Sequence, residues 1–82
     1  MKQIVIAQRG WVFVGEVDRD GDTVLITKAQ CIRRWGTTKG LGQIALNGPT
    51  ADTVLDDMGT VSMHVLAVVA TIDVEASKWP AL

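Results

Sequence analysis

The sequence has no tyrosine, one histidine, one cysteine and two prolines. A lone cysteine, Cys31, cannot form an internal disulfide, so no disulfide scaffold supports the fold. One His and one Cys do not make a zinc centre within a single chain, and no metal or organic cofactor is expected. Charge of neither sign dominates: eight Lys and Arg stand against nine Asp and Glu, for a net charge of −1. That excludes a nucleic-acid binder relying on bulk positive charge, and equally an acidic mimic of DNA. No apolar run reaches the ~20 residues that cross a bilayer. The opening Met1-Lys2-Gln3-Ile4 lacks the apolar core of a signal peptide. The expectation is an intracellular protein that does not engage a membrane.

What is present is apolar and β-prone. Hydrophobic residues make up 48% of 82 residues, enough to fold and consistent with one domain spanning residues 1–82. A chain this short buries only about 60% of its unfolded surface. Ile4-Val5-Ile6-Ala7 reads as a strand, and Arg9-Gly10 breaks it. Trp11 to Arg19 alternates, with Phe13, Gly15 and Val17 on one face and Val12, Val14, Glu16 and Asp18 on the other. Asp20-Gly21 predicts a two-residue hairpin turn, with Val17 opposite Val24 and Gly15 opposite Ile26. Phe13, Val17, Val24 and Ile26 then form a core face. The opposite face carries Val12, Val14 and Leu25, too apolar for solvent, so a helix, the rest of a barrel or another subunit must cover it.

Ala29 to Trp35 continues as strand. Leu41 to Leu46 has helical spacing, with Thr37 or Thr38 as cap and Gly48-Pro49 as stop. Residues 50–59 read as an acidic loop with a short strand possible at Thr53-Val54-Leu55. Thr60–His64 and Leu66–Ile72 read as strand, a single bent one if the unbroken apolarity reflects a central, doubly covered position. A turn of helix is expected in the tail from Val74 to Leu82. The sum is a mainly β fold: a small curved antiparallel sheet or SH3-like barrel with one short inserted helix.

Few residues suggest chemistry. Asp18 to Asp22 lacks the spacing of a calcium loop and suits a hairpin. His64 has no fixed nucleophile or acid beside it, and Asp56-Asp57 has no partner set by spacing, so an enzyme is not expected. One segment does stand out: Arg33, Arg34, Trp35, Gly36, Thr37, Thr38, Lys39 and Gly40. With Lys28 it holds half the basic residues of the chain. A Gly/Thr turn entering a helix presents backbone N–H groups to an anion. Arginines grip phosphate, and a tryptophan stacks on a base. This run lacks P-loop spacing, so a bound phosphate ester rather than ATP hydrolysis is the chemistry it suits.

The order Val5-Ile6, Gly10-x-Val12-Phe13-x-Gly15, Val24-x-Ile26, Ala29, Ile32, Trp35 and Leu41-x-Gln43-Ile44-Ala45 resembles a family of short, mostly phage-encoded proteins of unknown function. The likeness runs through about residues 4 to 72. It departs at Arg33, where the family has Trp, and at Lys39-Gly40, where it has small residues and Ser. The resemblance implies an accessory protein in the cytoplasm of an infected bacterium. Three classes of function follow: a module that sequesters a nucleotide-derived ligand as a defence antagonist, a protein that covers and inhibits a host defence enzyme, and, least supported, a small hydrolase using His64. Self-association is expected from the small size, the apolar residues on both hairpin faces and the three tryptophans.

Overall fold

The computed structural model describes residues 1–80. It contains β1 (Lys2–Ala7), β2 (Val12–Asp20), β3 (Thr23–Arg34), α1 (Leu41–Asn47), β4 (Val54–His64) and β5 (Val68–Asp73). The strands form one antiparallel sheet in the order β4-β3-β2-β1-β5, the curved sheet with a single short helix that the pattern predicts. Short 3₁₀ turns lie at Gln8–Gly10, Val65–Ala67 and Ala76–Lys78. The last of these takes the place of the expected helical turn in the tail, whose final residues 81 and 82 lie outside the described residues.

The link between β4 and β5 dictates the curvature. The two strands occupy opposite ends of the sheet order, yet only Val65–Ala67 separates them. In a flat sheet of five strands the edges would stand roughly 19 Å apart. Four residue steps span at most about 14 Å. The sheet therefore coils until its ends approach, leaving an open seam, since no ladder joins β4 to β5 among the described residues.

Alternation along the strands builds an apolar cluster on each face. One is enclosed by strands from all around the coil: Val5, Ala7, Phe13, Val24, Ile26 and Ala29, with Val17, Val61, Met63 and Val68 against them. The other holds Ile4, Val12, Val14 and Ile32 beneath Leu41, Ile44 and Ala45 of α1 and beneath Trp79. The apolar second face of the first hairpin is thus covered by the helix and the tail.

The hairpin register differs from expectation. Asp20 pairs with Thr23, so Gly21-Asp22 makes the turn and Val17 faces Ile26. Gly21 has φ +60° while Asp22 stays at negative φ, the pattern of a type II′ turn with glycine first. A turn centred on Asp20-Gly21 would drive Asp20 to positive φ; sliding one residue gives that position to glycine. The pairing moves by two residues, an even number, so every side chain keeps its predicted face. Further along, Lys28 adopts φ +51° in a bulge opposite Gly15. A Cβ on Gly15 would lie 2.6 Å from Ile26 Cγ2, which explains the glycine.

Two other expectations are corrected. Residues 54–59 are strand rather than loop, and Asp56 and Asp57 pair across to Cys31 and Gln30. The apolar stretch from Thr60 to Ile72 is not one central strand. His64 breaks it: its Nδ1 accepts the Leu66 N–H at 3.1 Å and starts the turn that sends the chain to the far edge. Both halves are edge strands, and Leu66 and Val69 are left 77% and 66% exposed.

Candidate functional site

The basic segment runs from the end of β3 into α1, and much of it serves the backbone. Thr53 Oγ1 donates to the Trp35 carbonyl and Thr50 Oγ1 to the Gly36 carbonyl, both at 2.7 Å. Gly36, at φ +65°, packs so closely on the Asp52–Thr53 peptide that a Cβ would lie 2.4 Å from the Asp52 carbonyl carbon. The Gly40 N–H donates to Thr37 Oγ1 at 3.0 Å. Gly40, not Thr37 or Thr38, is the residue preceding the helix, and no side chain of its own caps it.

The donors expected to face an anion have an internal partner. Gln43 Oε1 accepts the Lys39 N–H at 2.9 Å, and the Thr38 N–H and hydroxyl each at 3.2 Å. Gln43 is the third residue of α1, where a glutamine reaches back to the chain before the helix. Arg33 is engaged as well, with Nε 2.9 Å from Asp56 Oδ2 at an exposed position. Arg34 and Lys39 are exposed, and Trp35 is 43% exposed and outside both apolar clusters. The eight predicted residues therefore stay together as one turn. Arg34, Trp35 and Lys39 project from a frame built of Gly36, Thr37, Thr38, Gly40 and Gln43.

The groups weighed for catalysis are not assembled. His64 is exposed and its Nδ1 is committed to the backbone. Cys31 lies half-buried; burial pushes its thiol pKa up, and the Asp56 carboxylate pushes it further. Both effects keep it protonated and poorly nucleophilic. Asp57 Oδ1 accepts from Gln30 Nε2 at 3.0 Å.

A second site comes from the coil. Where the β1–β2 connection faces β4, a groove of about 260 Å³ opens at the seam. Phe13, Met63 and Ala7 line it together with Trp11, Met58 and Ala67. Trp11 lies parallel to Phe13, with ring centroids 5.7 Å apart and planes 6° apart, and is itself 51% exposed. Its position follows from the turn before it. Arg9 and Gly10 take φ +66° and +81°, and the Ala7 N–H donates to the Trp11 carbonyl at 2.7 Å, closing the connection. Ser62 and Gln8 are the polar residues in the lining. The free edge of β4 forms one wall, so apolar side-chain space and unpaired main-chain groups lie side by side.

Comparison with family models, curated proteins and solved structures returned no match. The site is therefore read from its geometry. Sequence reasoning missed the groove, because its walls are some fifty residues apart in the chain; the exposed pair Trp11 and Met58 has no local signature. It also missed Gln43, for which the position three residues into a predicted helix was an available signal.

Proposed function

We propose that this chain is a non-catalytic binding module that acts by protein–protein contact. Its recognition surface is the groove at the seam, and its partner is a protein presenting an extended segment with a large apolar side chain. The observation that carries this reading is the exposed Trp11, stacked on Phe13 beside the unpaired edge of β4. An extended peptide adds main-chain hydrogen bonds along such an edge and gains specificity from a pocket for one side chain. The groove is of the size that takes one aromatic or large aliphatic side chain. The resemblance to short phage-encoded proteins supplies the setting: an accessory protein in an infected bacterium, with a host defence enzyme as the class of target.

A displayed library of extended peptides tests the proposal. Selected peptides are expected to share an apolar anchor and to lose binding to Trp11→Ser and Met58→Lys proteins while retaining it with Arg34→Ala. Peptides without such an anchor, or binding indifferent to both groove substitutions, would overturn it.

A second reading, sequestration of a nucleotide-derived ligand, is favoured by one observation: Arg34, Trp35 and Lys39 are exposed within six residues. Phosphate contact there falls to side chains, since Gln43 holds the backbone donors. Calorimetry against cyclic dinucleotides separates the readings. Binding that Arg34→Ala and Lys39→Ala weaken about 10- to 100-fold supports the second.

A further inference from the structure

We infer that Asn47 is a deamidation site held in check by the tail, so that release of Trp79 starts an irreversible rearrangement at the end of α1. The inference is independent of the groove and rests on the face that α1 and the tail cover. Asn47 is the only asparagine of the chain, and a glycine follows it. That order is the most reactive one for asparagine, because glycine has no side chain to hinder attack on the amide. Asn47 is exposed, so the carbon under attack stands in solvent. In the reaction the Gly48 main-chain nitrogen loses its proton and bonds to Asn47 Cγ. The Cγ–Nδ2 bond breaks and ammonia leaves. Water then opens the five-membered succinimide at either carbonyl, giving aspartate or its iso form.

The fold restrains the nucleophile rather than the amide. The Gly48 N–H donates to the Ile44 carbonyl at 2.8 Å. α1 runs through Asn47, and the helical ψ turns the Gly48 nitrogen away from the Asn47 side chain; the ring closes only with that nitrogen eclipsing Cβ, outside the helical range. Gly48, at φ +85°, is buried directly beneath the tail, where a Cβ would lie 2.6 Å from the Lys78 carbonyl oxygen. The tail is pinned to the same acceptor, since the Trp79 indole N–H donates to the Ile44 carbonyl at 3.0 Å. One carbonyl thus ties both the nucleophile and the residue that covers it. A seven-residue helix depends on its tertiary contacts, so losing the tail frees its last turn. The change does not reverse. The iso form routes the main chain through Cβ and lengthens it by one atom, so Gly48 no longer fits against both Ile44 and Lys78. Either product puts a carboxylate at the C-terminal end of α1, whose last turn carries no basic residue. A lid that has opened long enough therefore closes less tightly, and the chain keeps a covalent record of the opening.

Mass spectrometry of the full chain, intact and after peptide mapping, tests this during incubation in mildly alkaline buffer. The folded parent is expected to deamidate at least about tenfold more slowly than a synthetic peptide of residues 44–51, or than the parent in urea, because reaction waits for local opening. Trp79→Phe keeps an aromatic ring in place and drops the indole N–H. It should remain folded by circular dichroism and react about two- to tenfold faster than the parent, the effect of one lost hydrogen bond. Asn47→Gln should show no gain of mass over the same period. A folded parent that reacts as fast as the peptide overturns the inference. So does a folded Trp79→Phe protein that reacts no faster than the parent, or a mass gain that persists in Asn47→Gln at the parent's rate.

Discussion

The two faces of the sheet are closed in different ways. On one, α1 and the tail form a lid whose polar groups are tied down. The Trp79 indole N–H donates to the Ile44 carbonyl at 3.0 Å, the Gly48 N–H donates to that same carbonyl at 2.8 Å, and the Glu75 N–H donates to the Ala45 carbonyl at 2.8 Å. These bonds occupy carbonyls that a short helix would otherwise leave unpaired at its end. On the other face no lid exists among the described residues. The sheet closes on itself, and the closure stops at the seam, where Trp11 and Met58 remain in solvent. The difference separates two tasks. The lidded face supplies stability, and on the proposed function the open one keeps apolar surface available for recognition.

Substitutions can break or sharpen that contrast. The largest expected effect is Trp79→Ala, which removes a buried indole and its hydrogen bond and should cost about 3–5 kcal/mol in urea unfolding. Gly36→Ala should follow, at about 2–4 kcal/mol, because it combines an unfavourable φ with a clash against the Asp52 peptide. Gly21→Val meets no neighbouring atom and pays only for its backbone conformation, so a loss of about 1–2 kcal/mol is expected in the same measurement. Trp11→Ser should change stability least, by about 0.5–1.5 kcal/mol for the stacking on Phe13 it removes, although its ring is as large as that of Trp79. If the two tryptophan variants melted alike, the division between a stabilising face and a recognition face would fail.

Much of the fold was legible because strand alternation is robust. The hairpin turn lies one residue from its expected place, yet Phe13, Val17, Val24 and Ile26 remain on one face, since pairing slipped by two. The helix was legible from the spacing of Leu41, Ile44 and Ala45, and it ends one residue beyond the expected Leu46. The positions of β4 and β5 were not. An apolar run reads the same whether its own chain or a second molecule is to cover it, so central and edge placement cannot be told apart by composition. The basic turn was legible as a cluster, but its hydrogen bonding was not. Which main-chain groups face solvent depends on Gln43, which accepts N–H groups, and on Thr50 and Thr53, which donate to carbonyls; only the folded chain fixes those side-chain directions.

The pairing of β1 with β5 has a kinetic consequence. Gln3 lies opposite Asp73 and Ile4 opposite Ile72, so this central strand waits for an element far along the chain to complete its ladder. Trp79, which completes the lid, comes later still. Such long sequence separations place folding in the slow range for small domains, about milliseconds to seconds. Until β5 arrives, Ile4, Val5 and Ile6 present an open apolar edge, and that interval is when the nascent chain is most exposed to wrong partners.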